Sequence, residues 1–380
     1  LTSSNKSIKI PSWLMPKSLH NKGNFIISLG ELCQWISERA MELGVDIFPG
    51  FPAQKYLTDQ SGRVIGIATG DMGIDKEGNQ KGTYTPGMDI LAKQTIFAEG
   101  ARGHLGKQLI KEFNLDEGKT PQHFAIGFKE IWEVDNDKHS PGDVVHSMGW
   151  PLKGGTSGGG FLYHFDNNRI AVGLIVDLNY SNPSHSPFQE FQQFKQHPSI
   201  KQFLESGKRV SYGARAITKG GINSLVKMEF DGGMIVGCDA GTLNPSKIKG
   251  SHCALQSGIL AAEYINKVLS EEVCDFDDLF KNSSLYKELY ESRNFSAAMH
   301  KFGFYLGATY NFIESNIFRN KLPFTIKDEN RDCDSLSLSK SSPVKEYPAP
   351  DNVLSFDITS SLFLSGTNHE EDQPVHLKLT

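Results

Sequence analysis

Met234-Ile235-Val236-Gly237-Cys238-Asp239-Ala240-Gly241-Thr242-Leu243-Asn244-Pro245-Ser246-Lys247-Ile248-Lys249-Gly250-Ser251-His252 is the stretch on which the reading turns. Three apolar residues predict a strand, glycines at 237, 241 and 250 predict a tight turn, and the run from Ala254 to Ile265 predicts a buried helix after Gly250. A strand, a glycine turn and a helix N-terminus present free backbone N–H groups and a positive dipole end to an anionic group. Asp239 can accept hydrogen bonds from a sugar-like hydroxyl, and glycine lets the backbone approach a cofactor closely. The same spacing also suits a strand-to-helix turn whose glycines serve tight geometry alone, and the residues leave both readings open.

Outward from this block the pattern divides. Upstream, Leu29–Leu43 has helical spacing, with Ser28 and Glu31 placed as a capping box and Gly44 as the stop. Val45–Phe48 then reads as a short strand. Ala53–Leu57 and Val64–Thr69 read as a hairpin, and Ile90–Ala98 as a further strand. From His123 to Phe230 short apolar runs alternate with turns, among them Phe124–Phe128, Gly160–His164 and Ile170–Val176, which predicts an antiparallel sheet. Downstream, segments within 281–318 read as helical. Residues 326–350 are charged, Ser-rich and Pro-containing and read as a linker.

Composition narrows the function. A net charge of -5 with scattered Lys and Arg lacks the basic stripe of a nucleic-acid binder. Cys33, Cys238, Cys253, Cys274 and Cys333 form no C-x-x-C pair, which argues against zinc or an iron–sulfur cluster held by this chain alone, and against a disulfide framework. The twelve histidines show neither H-x-H nor H-x-x-x-H spacing and read as surface or packing residues. Gly155-Thr156-Ser157-Gly158-Gly159 fits G-x-S-x-G, but a strand rather than a helix follows, so the match is taken as chance. Asp275–Asp278 reads as a solvated helix cap. No run of about 20 apolar residues is present. The start at Leu1 and the end at Thr380 lead to the expectation of a piece of a longer protein.

Several blocks together resemble electron-transfer flavoprotein–ubiquinone oxidoreductases. Lys247-Ile248-Lys249-Gly250-Ser251-His252 is similar to the family's helix start that faces the flavin ring, and the glycine turn before it to the segment touching the ribityl chain. Phe97-Ala98-Glu99-Gly100-Ala101-Arg102-Gly103-His104-Leu105 resembles a second dinucleotide turn. Trp150-Pro151-Leu152 and Gly158-Gly159-Gly160-Phe161-Leu162-Tyr163-His164 resemble the quinone-pocket segment, with Ser157 where the family usually has tyrosine. Asn182-Pro183, Pro187–Phe191, His197–Ile200, Tyr212–Ala216, Gly366–His369 and Gln373-Pro374 extend the likeness from about Pro11 to the end of the chain.

The resemblance implies an α/β (α+β) flavoprotein fold of the two-dinucleotide-binding type with an inserted antiparallel sheet. Residues 1–122 would be a partial FAD-binding domain and 123–230 a ubiquinone-binding domain. Residues 231–270 would return to the FAD-binding domain, 271–325 would be a helical membrane-facing segment, and 326–380 a linker toward an iron–sulfur domain. FAD would be held by Gly100, Arg102, Gly103, Gly237, Asp239, Gly241, Asn244, Lys249, Gly250 and Ser251, and quinone by Gly158 and Gly159; no residue is assigned as general acid or nucleophile.

Electrons would pass from electron-transfer flavoprotein through a [4Fe-4S] cluster and FAD to ubiquinone, at the matrix face of the mitochondrial inner membrane or at a bacterial cytoplasmic membrane, in the service of fatty acid β-oxidation. Neither the G-x-G-x-x-G turn for the ADP moiety nor cluster-binding cysteines occur in this sequence, so the chain alone is expected to hold FAD poorly. The rival readings are an isoprenoid reductase like geranylgeranyl reductase, and a non-catalytic remnant that binds lipid or a partner.

Residues 302–318 place Phe302, Tyr305, Leu306, Thr309, Tyr310, Ile313 and Ile317 on one helical face, with Asn311, Glu314 and Ser315 away from it and Phe304 and Phe318 as exceptions. Periodicity alone suits an ordinary surface helix packed on the core. The resemblance implies instead a monotopic membrane contact through Phe302, Tyr305, Leu306, Tyr310, Ile313 and Ile317, with Arg319 and Lys321 following.

Overall fold

The computed structural model describes residues 1–11, 20, 22–152, 155–247 and 249–375; Ile248 of the K-I-K-G block, residues 376–380 of the tail and the side chain of Phe304 lie outside the described residues. Helix α1 (Leu29–Glu42) is capped by the Ser28 hydroxyl, which accepts from Glu31 N–H at 3.4 Å. Strands β1 (Ala53–Thr58) and β2 (Val64–Thr69) form the expected antiparallel hairpin, and β3 (Met72–Ile74) pairs with β4 (Gln80–Thr85).

The single strand expected over 90–98 is two: β5 (Asp89–Leu91) pairs with β2, and β6 (Thr95–Phe97) joins a different sheet, because the intervening Ala92–Gln94 turns the chain from one layer to the other. Val45–Phe48 forms no strand. No described strand lies beside it, and unpaired extended backbone gains nothing over hydrated coil.

Helix α2 (Gly106–Glu112) leads to the five-stranded sheet of β7 (Phe124–Glu133), β8 (Val144–Ser147), β9 (Gly158–Phe165), β10 (Arg169–Asp177) and β11 (Lys208–Thr218), in the order β11-β7-β10-β9-β8 and antiparallel throughout. Alternation decides its faces. Phe128, Trp132, Leu162, Ile170, Val172, Leu174 and Val176 point to one side and are buried under α3 (Pro187–Gln196) and α4 (Pro198–Leu204) through Phe188, Phe191, Phe194, Ile200 and Leu204. Those two helices start where the sequence dictates. The Ser186 hydroxyl caps α3 ahead of Pro187, and the His197 ring caps α4 ahead of Pro198, accepting from Ser199 N–H at 3.1 Å.

The chain then returns to the first layer. β12 (Glu229–Phe230) and β13 (Gly233–Ile235) complete the sheet β12-β13-β6, in which β13 and β6 run parallel. The turn α5 (Gly237–Ala240), the long helix α6 (Ser251–Leu269), α7 (Phe276–Lys281) and α8 (Ser284–Glu291) pack over this sheet around Phe97, Leu105, Met234, Ile235, Ala261, Tyr264 and Leu289. Asp275 caps α7 as expected, accepting from Asp278 N–H at 3.1 Å.

The helix expected over 302–318 is the second half of a broken helix, α9 (Phe295–Asn316), with Gly303 at φ 72° and ψ 178°. Only glycine enters that backbone region at low cost, so the chain folds back there. Gly307 then lies so close that a Cβ would stand 2.8 Å from Ala298 O.

Within the segment expected as a linker, 326–380, residues 328–364 run as a strap across the sheet domain. Tyr347 Oη donates to Glu190 at 2.7 Å, Leu354 is buried, and Phe356 lies 3.7 Å under the Arg209 guanidinium. The strap ends in α10 (Ile358–Phe363), whose Ser361 hydroxyl meets Arg209 Nη1 at 2.8 Å. Its polar composition concealed a few anchors, each with a buried partner from another element.

Candidate functional site

Parallel strands β6 and β13 end side by side, with Val236 N–H donating to Phe97 O at 3.0 Å, and a glycine turn leaves each. Ligands of open α/β sheets sit in this position, at the carboxyl ends of the strands. The turn after β6 needs Gly100 at φ 84° and holds Arg102 at φ 57°, with its guanidinium 5.6 Å from the Phe124 ring centroid. The turn after β13 needs Gly237 at φ 66° and Gly241 at φ 98°. Gly237 N–H donates to Ser257 Oγ on α6 at 2.9 Å, which fixes the turn to the helix.

The two turns are clamped together. Asp239 Oδ1 accepts from Gly103 N–H at 3.1 Å, and Glu99 Oε2 accepts from Leu105 and Gly106 N–H, both at 2.8 Å. A Cβ on Gly103 or Gly106 would fall 2.7 Å or 2.4 Å from the Asp239 carboxylate, so both glycines are needed for this approach. Asp239 is buried and its Oδ2 has no hydrogen-bond partner. Burial, with the charge of Glu99 beside it, pushes its carboxyl up to about 6 despite the Gly103 bond. An acceptor so placed fits a hydroxyl of a sugar or ribityl chain.

The remainder of the 237–252 block is organised by a residue that sequence reasoning missed. Glu288 on α8 accepts from Asn244 Nδ2 at 2.9 Å, pairs with Lys247 Nζ at 2.8 Å and meets His252 Nε2 at 2.7 Å. Burial alone would raise its carboxyl, but the bonds from Lys247, His252 and Asn244 hold it down at about 2. Asn244 Oδ1 accepts from Ser246 N–H at 3.0 Å, so its side chain shapes the turn from within. Gly250 is packed against Leu243, at 3.2 Å from a notional Cβ, and Ser251 is exposed at the start of α6. Burial, then the nearby Lys247 charge, lowers the Lys249 ammonium. No sequence spacing points to Glu288; its role exists only once α8 packs over the turn.

Gly158 and Gly159 open strand β9. Gly158 has φ 154°, and a Cβ there would lie 2.2 Å from Ile175 O; a Cβ on Gly159 would lie 2.9 Å from Ser147 O. Beyond Gly159 on its sheet face Phe161 and Tyr163 stack at 4.9 Å, with His146 edge-on to Tyr163 at 5.6 Å. Burial lifts the Tyr163 hydroxyl to about 12 and lowers His146, and the positive charge of Lys249 lowers His146 further.

The end of β11 packs near the 244–250 turn. Gly221 at the foot of β11 makes the contact, its notional Cβ 3.6 Å from Pro245 Cγ. The sheet end that Gly221 leaves therefore rests on the 244–250 turn. Clefts lined by Ile27, Glu31, Phe165 and Arg169, and by Trp150, Gln196 and Pro348, lie away from it.

The second half of α9 is turned over relative to an ordinary surface helix. Glu314 is 4% exposed and accepts from Asn294 Nδ2 at 2.7 Å, and Asn311 Nδ2 donates to Phe295 O at 3.2 Å. Tyr305 is 83%, Leu306 70% and Ile317 65% exposed, with Phe302 and Ile313 also outside and Tyr310 half-buried. The polar stripe faces protein and the apolar stripe faces out.

Residues 124–217, the span of β7 to β11, match the family model described as ETF-QO, ubiquinone-binding, and residues 352–380 match electron transfer flavoprotein-ubiquinone oxidoreductase, 4Fe-4S. The electron transfer flavoprotein-ubiquinone oxidoreductase of Pseudomonas aeruginosa is 57% identical over 100% of this chain and 70% of its own length. The chain belongs to the electron transfer flavoprotein–ubiquinone oxidoreductase family.

The human mitochondrial member is 46% identical over 98% of this chain and 62% of its own length. A geranylgeranyl bacteriochlorophyll reductase-like structure from Thermoplasma acidophilum aligns at TM-score 0.52 with 15% identity, over 76% of this chain and 72% of that one, a likeness of fold. The chain thus has a mixed α/β fold that carries an antiparallel sheet, as expected from the resemblance.

The turns fit a flavin nucleotide: the glycine cradle and the unpartnered Asp239 Oδ2 supply close backbone approach and a buried acceptor. This chain's residues do not fit an iron–sulfur cluster. The matched 352–380 segment contains no cysteine, and all five cysteines of the chain are free and spread over its elements.

Proposed function

We propose that this chain is the flavin- and quinone-contacting part of an oxidoreductase that takes electrons from reduced electron-transfer flavoprotein and passes them to ubiquinone at a membrane surface. The observation that carries it is the pair of glycine turns at the ends of β6 and β13, clamped by Asp239 and Gly103, with the sheet end at Gly221 packed on the 244–250 turn through Pro245. Bound FAD would supply reversible electron transfer.

The chain's own part is positional. Gly100, Arg102, Gly103, Gly237, Gly241, Lys249, Gly250 and Ser251 line the approach to the cofactor, Asp239 accepts from its hydroxyls, and Asn244 keeps the turn in shape. Gly158 and Gly159 leave peptide groups uncovered by side chains, against which a flat quinone ring can lie. The [4Fe-4S] cluster belongs to thiolates that this chain does not contain.

Among the described residues no helix is long and apolar enough to cross a membrane. The outward face of Phe302, Tyr305, Leu306, Tyr310, Ile313 and Ile317 instead suits monotopic docking at the lipid interface. By kinship with bacterial and mitochondrial members, that surface would be the bacterial cytoplasmic membrane or the matrix face of the mitochondrial inner membrane. Electrons arriving there from fatty acid β-oxidation would enter the quinone pool. The 4Fe-4S family match favours this reading over an isoprenoid reductase.

Full-length protein carrying Gly159→Ala tests the assignment. The added methyl is expected to raise KM for a ubiquinone analogue about 10-fold or more, while flavin content and turnover with a soluble one-electron acceptor stay at wild-type level. Unchanged quinone kinetics would exclude this strand from the quinone site.

A further inference from the structure

Where the sheet end, α9 and the tail strap meet, five titratable side chains from four separate segments converge outside the flavin and quinone site. His123 precedes β7, Asp177 ends β10, His300 lies on the first half of α9, and Asp328 and Asp332 come from the strap. His123 is 5% exposed and Asp177 2%. Asp328 Oδ2 stands 3.2 Å from His123 Nε2 and 2.8 Å from His300 Nδ1. The far nitrogen of each ring faces another carboxylate: His123 Nδ1 meets Asp332 Oδ1 at 2.7 Å, and His300 Nε2 lies 3.9 Å from Asp177 Oδ2. Lys219 Nζ pairs with Asp177 at 2.6 Å, and Phe124 N–H orients Asp332 at 2.7 Å. His123 Nε2 is buried and has no hydrogen-bond partner, although it is aimed at Asp328.

We propose that His123 Nε2, His300 Nδ1 and Asp328 Oδ2 bind a divalent transition-metal ion, zinc in the first instance, that fastens the strap to the sheet domain. The three donor atoms lie within 4.8 Å of one another. Ligands of a tetrahedral zinc at about 2.0–2.1 Å stand roughly 3.3 Å apart, so small side-chain shifts complete the set. Two imidazoles and one carboxylate leave a fourth position for water. Asp332 and Asp177 occupy the places of the carboxylates that orient metal-binding histidines.

Charge agrees: three carboxylates and Lys219 sum to -2, which one divalent ion neutralises when both rings are neutral. With Nδ1 of His300 on the metal, its Nε2–H would face Asp177. The neighbouring group His252, Cys253 and Glu288 is a weaker candidate, since Glu288 already bonds Asn244, Lys247 and His252.

The test is zinc binding by full-length protein, with zinc alone as the probe. Metal analysis after chelator dialysis and zinc addition is expected to find about one zinc retained per chain through gel filtration, with X-ray absorption at the zinc edge showing imidazole and oxygen ligands without sulfur. His123→Ala is expected to weaken binding at least about 100-fold, and the milder Asp332→Asn, outside the ligand set, about 10-fold. Zinc should raise Tm in wild type and not in His123→Ala. No retained zinc, sulfur in the first coordination sphere, or affinity unchanged in both variants overturns the proposal.

Discussion

Asp239 Oδ1 accepts a hydrogen bond from Gly103 N–H at 3.1 Å, and through it the turns after two parallel strands become one structure. The residues are 136 apart in sequence, yet each is adapted to the other. Glycine at 103 leaves room for the carboxylate, and the carboxylate satisfies a buried N–H. The remaining oxygen of Asp239 stays without a partner at the strand ends, where a nucleotide would lie.

Gly103→Ala should break this junction. The new Cβ would stand 2.7 Å from both carboxylate oxygens, closer than atoms tolerate. Overpacking of this kind costs about 1–3 kcal/mol. A lower urea midpoint with an unchanged m-value, and loss of bound flavin in the full-length protein, are the expected results.

Asp239→Asn should separate stability from function. The carboxyl is raised to about 6, so between its ordinary value near 3.8 and about 6 the folded state holds more protons than the unfolded chain. The stability tied to this group is therefore complete below about pH 4 and lost as pH rises through 6, a loss of up to about 3 kcal/mol. The asparagine variant avoids that loss. Its Tm at pH 7.5 is expected to exceed wild type in flavin-free protein and to match it at pH 4, while flavin affinity in the full-length protein falls.

Glu288 gives the opposite sign. Its carboxyl is held at about 2, so its stabilisation is present above about pH 4.5 and drains away as pH falls toward 2. The side chain is 23% exposed, and after allowance for solvent about 1–2 kcal/mol remains. Glu288→Gln should lower stability at pH 7 by that amount and flatten the acid limb of the pH–stability curve. An acid limb identical to wild type would remove Glu288 from this role.

In the sheet domain, Glu130 pairs with Lys195 Nζ at 2.8 Å and Arg209 Nη1 at 3.1 Å, all three side chains nearly sealed from solvent. Burial lowers the Lys195 ammonium to about 8, against the pull of Glu130. Removing one partner leaves a buried charge uncompensated, at about 3–5 kcal/mol. Glu130→Gln should therefore shift the urea transition by that much, and Glu130→Leu with Lys195→Met should recover part of the loss, read as a double-mutant cycle.

Local signals account for what was legible in the sequence. Ser28 and Asp275 cap helices because a cap needs only neighbours three residues away, β9 alternates because one of its faces is less covered, and β10 reads as a continuous apolar run because both of its faces are sealed. The glycine turn was legible because φ values of 66° and 98° admit little else. What escaped depends on partners far along the chain. Glu288, the strap anchors Tyr347 and Phe356, and the meeting of His123 with Asp328 carry no spacing signature. Val45–Phe48 shows the converse: strand-like residues without a neighbouring strand stay unpaired. For α9 the periodicity located both faces but not their sense, since a 3.6-residue repeat is silent on which side the protein covers.

With Glu314 and Asn311 turned inward, Tyr305, Leu306 and Ile317 have little protein to pack against and can contribute little to folding. If a lipid surface covers them, each adds roughly 1–2 kcal/mol to membrane affinity. Leu306→Glu with Ile317→Glu should therefore leave Tm within about 1 °C of wild type, because the substituted positions are already in water. The same pair should cut co-sedimentation of the full-length protein with phosphatidylcholine–cardiolipin vesicles by about 10-fold or more. A fall in Tm together with unchanged vesicle binding would show that protein, and not lipid, covers this face.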